Sequence, residues 1–317
     1  MCENEYPCPI CGNKDNNKTY NVKEMMIGLR EEFLYVECAN CKCLYLNEIP
    51  ENIGDYYDSE YGPHRKLNSF KNNIVTQGVG WYLSNNLISK VFPKSYIPPI
   101  AKLWNSFVKN KSIDLNSSIL DVGCGNGQFL YYLKKGGFKD LTGIDLFFNE
   151  SNIPEGIAIK RDSLETFKTT KKFDVILSHH SFEHMDEPLK NLTYLENLLS
   201  LDGFIILCIP IKSEPIWDKY GVNWHQIDAP RHFFLYSLKS LEILVGKTNL
   251  YIDDIVFDSS YLQFTCSEKF SKDIARFENE WDDYNFTNDE INNFKNETIR
   301  LNENKQGDQA IFILKFK

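Results

Sequence analysis

No apolar run in this 317-residue chain approaches the roughly 20 residues that a membrane-spanning helix needs, so no membrane insertion is expected. Positive charge is also short. Lys and Arg number 35 against 44 Asp and Glu, a net charge of -9. An extended nucleic-acid footprint needs a dense basic face, so the expected partner is not a nucleic acid. Met1-Cys2-Glu3-Asn4-Glu5-Tyr6 lacks the basic and apolar regions of a secretory leader, which places the chain in the cytoplasm by expectation. Its one glycine-rich turn lacks both the G-x-G-x-x-G spacing of dinucleotide binders and the lysine of a phosphate loop.

Cysteine, by contrast, is plentiful and uneven. Nine cysteines are an odd number, and in a reducing compartment they favour metal ligation over disulfides. Cys8-Pro9-Ile10-Cys11 and Cys38-Ala39-Asn40-Cys41 are two C-x-x-C pairs separated by a stretch with strand character at Phe33-Leu34-Tyr35-Val36. Each pair can aim two sulfurs at one point, and two facing pairs make a closed tetrahedral site. Residues 1–48 therefore look like a zinc ribbon with Cys8, Cys11, Cys38 and Cys41 as ligands. Four thiolates leave no open position, so the zinc is structural. Cys43 is a spare thiol whose i+2 spacing suits the site less well.

Residues 49–112 read as a helical connector. Trp81 to Ile88 and Ile100 to Val108 have helical periodicity, broken by Pro93, Pro98 and Pro99. The aromatic, acidic run Tyr56-Tyr57-Asp58-Ser59-Glu60-Tyr61 fits packing against the core or a lid over a cleft.

From residue 113 strands and helices alternate, which implies a parallel sheet covered on both faces. The centre is Ile119-Leu120-Asp121-Val122-Gly123-Cys124-Gly125-Asn126-Gly127, a buried strand running into a glycine turn and then a helix at Gln128–Lys135. The glycines allow positive φ and close approach of a ligand to the backbone. A second strand ends at Asp145, where a carboxylate can accept both hydroxyls of a ribose or cap the next turn. A third lies near 156–160, followed by Asp162. A fourth, Phe173–Ser178, leads into His179-His180-Ser181-Phe182-Glu183-His184. A helix over 187–199, a turn at Leu201-Asp202-Gly203 and a fifth strand to Pro210 follow. Residues 251–257 and 310–316 supply two more strands, with a helical insertion at 266–305 between them.

These motifs together, over residues 113–317, resemble the class I S-adenosylmethionine (SAM)-dependent methyltransferases. The resemblance implies an α/β, Rossmann-like sheet of seven strands with the last antiparallel, and SAM as cofactor. It assigns the cofactor to Asp121, Gly123, Gly125, Gly127, Asp145, Asp162 and Ser178, with Asp162 placed for the adenine amino group. An N-cap role suits Asp162 nearly as well. The order of ribbon, aromatic connector and glycine turn is similar to methyltransferases of sugar and surface-glycan pathways. So is Gly307-Asp308-Gln309 ahead of the last strand.

The loop from Trp217 to Phe234 is dense in His, Arg, Trp and Asp, and loops at the carboxyl ends of parallel strands carry the chemistry in such sheets. A neutral histidine can take the proton of a hydroxyl acceptor. His184 and His232 are the expected catalytic pair, with His180, His225 and Arg231 on the substrate. Each histidine also has a purely structural reading, and Arg231 can pair with Asp228 instead of a substrate phosphate. The expectation is O-methylation of a small, sugar-linked acceptor. The alternatives are an RNA methyltransferase that grips nucleic acid with its ribbon and a SAM-binding protein without catalysis.

Overall fold

The computed structural model describes residues 6–57, 113–148, 156–276 and 286–317. The helices expected between 81 and 108 lie outside them. Two sheets organise the chain. The smaller holds β1 (Lys18–Lys23), β2 (Glu32–Glu37), β3 (Leu44–Leu46) and β9 (Phe234–Leu235), antiparallel in the order β1-β2-β3-β9. Its last member comes from the far end of the sequence, with Leu44 opposite Leu235.

The larger sheet holds β4 (Ser118–Val122), β5 (Asp140–Ile144), β6 (Ala158–Lys160), β7 (Phe173–His179), β8 (Leu199–Pro210), β10 (Leu250–Phe257) and β11 (Gln309–Phe316). Its order is β10-β11-β8-β7-β4-β5-β6. The pairs β4/β5, β5/β6, β4/β7 and β7/β8 are parallel, whereas β11 is antiparallel to both β8 and β10. The chain starts this sheet in the middle, runs outward through β5 and β6, then returns to the other side of β4. Ligand crevices in open α/β sheets lie at such a reversal, outside the carboxyl ends of the strands.

The central strands are buried on both faces, so they read as continuous apolar runs. Alternate residues divide between two cores: Leu120, Ile176, Ile205 and Leu207 on one side, Ile119, Val175, Ile206 and Leu177 on the other. Tyr35, Val36, Cys38 and Leu44 join the first of these cores. The cysteine module thus shares apolar contacts with the main sheet.

The helices are α1 (Gln128–Lys135), α2 (Pro188–Leu198), α3 (Glu214–Tyr220), α4 (Leu238–Gly246), α5 (Leu262–Phe270) and α6 (Asn288–Glu303). Capping boxes open α4 at Ser237 and α6 at Thr287. The helical insertion begins at Leu262, four residues before its expected start. The turn expected at Leu201-Asp202-Gly203 is instead an irregularity within β8, where the register against β7 shifts and Leu201 points to solvent. Among the described residues, no helix is long and apolar enough to cross a membrane.

Candidate active site

Three backbone positions shape the crevice above β4. Gly123, Gly125 and Gly127 all have positive φ, at 73°, 54° and 76°. The requirement is strictest at Gly123, where a Cβ would overlap the Cβ of Ser181. Gly127 caps α1 in the left-handed conformation and does not line the crevice.

The space is a cavity of about 490 Å³. One wall is Gly123, Gly125, Asp145 and Asp162, at the ends of β4, β5 and β6. The Asp145 carboxylate accepts the Gly125 N–H at 2.9 Å through Oδ2 and the Phe147 N–H at 2.8 Å through Oδ1. Those bonds fix the carboxylate, and each oxygen keeps a second acceptor site for a ligand hydroxyl. Asp162 combines both sequence readings: Oδ1 accepts the Ser163 N–H at 2.9 Å and the Thr166 hydroxyl, and the residue also lines the cavity.

Besides Gly127, two residues assigned to the cofactor stand elsewhere. Ser178 is fully buried behind the wall, with its hydroxyl 2.6 Å from that of Ser181. Ser181 in turn donates to the Val122 carbonyl at 2.6 Å, and it is Ser181 that lines the cavity. Asp121 is buried beneath the turn. Burial, reinforced by the charge of Asp145, raises its carboxyl to about 8.

That shift has a measurable consequence. Between the ordinary aspartate value and about 8, the folded chain holds a proton on Asp121 that the unfolded chain has lost. Stability therefore falls as pH rises through this window, by up to about 1.4 kcal/mol per unit. Asp121→Asn removes the slope. Thermal melts of both proteins from pH 5 to 8 should show the wild type losing ground steadily against the variant. Parallel curves would mean that Asp121 is ionised in the fold.

A second wall holds Tyr57, His180 and His184, with Ser181 at the seam, directly against Gly123. His180 has a left-handed backbone (φ 52°), and its Nδ1 lies 3.3 Å from Glu183 Oε1. A carboxylate only accepts, so Nδ1 carries the proton and Nε2 is the basic nitrogen. Burial disfavours the imidazolium, but the Glu183 carboxylate outweighs it and leaves the His180 pKa raised. His184 Nδ1 lies 2.8 Å from the Arg231 carbonyl and 3.0 Å from the Tyr57 hydroxyl. Burial, then the neighbouring His232, lowers the His184 pKa to about 4.

Of the two histidines expected to carry the chemistry, then, His184 reaches the cavity. His232 does not line it. Its ring packs edge-on to that of His184 at 4.6 Å, and its Nδ1 donates to the Gln226 carbonyl at 2.7 Å.

Two substrate assignments need correction. Arg231 is fully buried. Its guanidinium meets Asp228 and Glu24, each at 2.6 Å, and donates to the Tyr56 carbonyl at 3.1 Å. These partners are all groups of the protein, and of the two readings the pairing with Asp228 is the one the structure contains. His225 is buried away from the cavity, its Nδ1 without a hydrogen-bond partner among the described residues.

Glu24 had no signal in the sequence. It accepts the N–H groups of Met26, Ile27, Gly28 and Leu29 as well as Arg231. Tyr57 had a partial one, in the aromatic run.

The four cysteines of the C-x-x-C pairs converge. Cys8 and Cys41 Sγ lie 3.5 Å apart, as do those of Cys11 and Cys38, and all four fall within 4.8 Å of one another. Tetrahedral zinc with bonds of about 2.3 Å spaces its sulfurs about 3.8 Å apart, so the group has the right size. Cys43 is buried outside it, its thiol 3.8 Å from the Leu44 carbonyl.

A family profile described as "Methyltransferase domain" matches residues 93–255, just over half of the chain. Protein arginine N-methyltransferase 2 of Dictyostelium discoideum is 24% identical over 56% of this chain and 40% of its own length. The mitochondrial ubiquinone biosynthesis O-methyltransferase of the same organism is 24% identical over 58% of this chain and 65% of its own. The chain thus spans between two fifths and two thirds of these relatives. Among solved structures, the YcgJ protein of Bacillus subtilis superposes with a TM-score of 0.46 at 17% identity, over 67% of this chain and 97% of its own.

Proposed function

This chain belongs to the methyltransferase-domain family, and on that premise we propose that it moves a methyl group from SAM to a hydroxyl of a small acceptor. The acceptor is a sugar or sugar-linked precursor of a surface glycan. The observation that carries this reading is one cavity with two chemically different walls. Bare glycine backbone and two carboxylates stand on one side, and paired histidines stand on the other.

Bound SAM supplies a methyl carbon made electrophilic by its sulfonium. Gly123 and Gly125 would admit its aminoacyl end against backbone, Asp145 would hold the ribose and Asp162 the adenine. His180 Nε2 would accept the proton of the acceptor hydroxyl as that oxygen takes the methyl group, with S-adenosylhomocysteine as the leaving group. Glu183 holds that imidazole in the required tautomer and steadies the resulting charge. Tyr57 closes the acceptor side, stacked on Phe147 at 4.9 Å. Proximity and exclusion of water do the remaining work. The four-cysteine group takes a structural zinc.

The test is incubation with SAM and a panel of nucleotide sugars, RNA and protein, read by mass spectrometry for a methyl gain. Gain on a sugar is expected; gain on RNA alone would overturn the acceptor class. His180→Ala should lower kcat by about 10²–10⁴-fold, the usual share of a general base, without weakening SAM. Gly123→Ala should weaken SAM at least tenfold in calorimetry, because a strained left-handed alanine costs about 1–3 kcal/mol before its overlap with Ser181.

A further inference from the structure

We propose that Glu183, His184 and His232 form a binding site for a divalent transition-metal ion beside the acceptor wall, separate from the cysteine site. One carboxylate oxygen of Glu183 and one ring nitrogen of each histidine lie within 4.8 Å of one another. Ligands about 2.0–2.2 Å from one tetrahedral ion are about 3.3–3.6 Å apart, so closure asks for side-chain movements of up to about 1.5 Å.

The surroundings have the form that metal-ligating histidines show. Such histidines give their second ring nitrogen to a carbonyl or carboxylate, which fixes tautomer and orientation. Here His184 Nδ1 is held by the Arg231 carbonyl at 2.8 Å and His232 Nδ1 by the Gln226 carbonyl at 2.7 Å. Carbonyls only accept, so each ring keeps its lone pair on Nε2. His232 Nε2 stands 3.9 Å from Glu183 Oε1 and 3.7 Å from Asp228 Oδ2, beyond hydrogen-bond distance from both.

Glu183 supplies the second indication. Its side chain is fully buried, Oε1 is held by His180 at 3.3 Å, and Oε2 has no hydrogen-bond partner among the described residues. A buried carboxylate oxygen left unpaired is costly. Two imidazoles and a carboxylate thus converge, with His180 the donor to one carboxylate oxygen and the other oxygen left over for a cation. Two imidazoles and one carboxylate suit Zn²⁺, Fe²⁺, Co²⁺ or Mn²⁺ and leave positions open. His184 lines the cavity, so an open position there meets an acceptor oxygen and lowers its pKa. Only this last use rests on the proposed methyl transfer; the binding of the ion does not.

The experiment is a metal titration of the full chain after dialysis against a chelator mild enough to leave the thiolate site loaded. Zn²⁺, Mn²⁺ and Co²⁺ are the probes, and bound metal is counted by mass spectrometry. Wild type should take a second equivalent. Glu183→Gln and His232→Ala should bind it at least tenfold more weakly and keep the first. Co²⁺ in the second site should give d–d absorption without a thiolate charge-transfer band. X-ray absorption on wild type needs no variant and should show imidazole scattering around the second ion. A single equivalent at millimolar metal, a second one that survives both substitutions, or a second ion without imidazole scattering would overturn the site. Methyl transfer at full rate with one equivalent bound would overturn the ion's use in the reaction and leave the proposed function standing. A second equivalent without methyl transfer to any acceptor would do the reverse.

Discussion

Cys38→Ser, or complete removal of the proposed zinc, should unfold residues 6–46 and lower methyl transfer at least 100-fold while SAM affinity changes little. Zinc binding to a four-ligand structural site is worth about 10–16 kcal/mol at neutral pH, and in a small module that free energy is folding free energy. The module's own strands are short, each of six residues or fewer, although Tyr35, Val36 and Leu44 also pack on the main core. Its loss travels toward the acceptor wall and away from the SAM wall. The Tyr35 hydroxyl donates to the His232 carbonyl at 2.8 Å, and Glu24 holds Arg231, whose carbonyl fixes His184. The glycine turn and Asp145, by contrast, are held by β4 and β5. Hydrogen exchange, SAM calorimetry and turnover on one metal-free sample check all three parts. Unchanged turnover without zinc would refute the coupling.

Arg231→Ala should destabilise the protein by about 3–5 kcal/mol, because removing one partner of a buried ion pair strands the other charge. Here two carboxylates are stranded, those of Glu24 and Asp228, and both are buried beside a fully buried guanidinium. For a chain of this size the expected fall in Tm is about 4–8 °C. Asp228 is held well below the usual carboxylate range, at about 2: burial alone would raise it, and the Arg231 charge overcomes that. The double variant Glu24→Gln with Arg231→Met should lose less than the sum of its single losses, by about 1 kcal/mol or more, since residues of one network do not add. Strict additivity in denaturant melts would show that the pair is not coupled.

The main sheet was legible because its strands are long apolar runs set off by glycine turns, and because Asp145 and Asp162 follow two of them at recognisable intervals. The cysteine pairs were legible from spacing alone. What was not legible lay in loops. The strand carrying Ser178 is buried on both faces, so period-two reasoning has no solvent side against which to orient it, and the hydroxyl at the cavity belongs to Ser181. Arg231 has the composition of a substrate ligand; its burial depends on Glu24, more than 200 residues earlier, which no local pattern announces. His180 was placed on the substrate, yet its left-handed backbone is what sets its ring against Glu183. Strand β9 has two residues, too few for any periodicity, so its pairing with β3 could not be foreseen.

That pairing bears on how the chain comes to be made. The smaller sheet is completed by a strand roughly 190 residues downstream of β3. At about 5–20 residues per second, β3 waits on the order of 10–40 s for its partner. Through that interval the nascent chain carries an open strand edge and the apolar side chains of Tyr35, Val36 and Leu44, which the main core later covers. A metal already seated among the cysteines would be its chief protection, so zinc-starved synthesis should raise the aggregated fraction more than stripping the finished protein does.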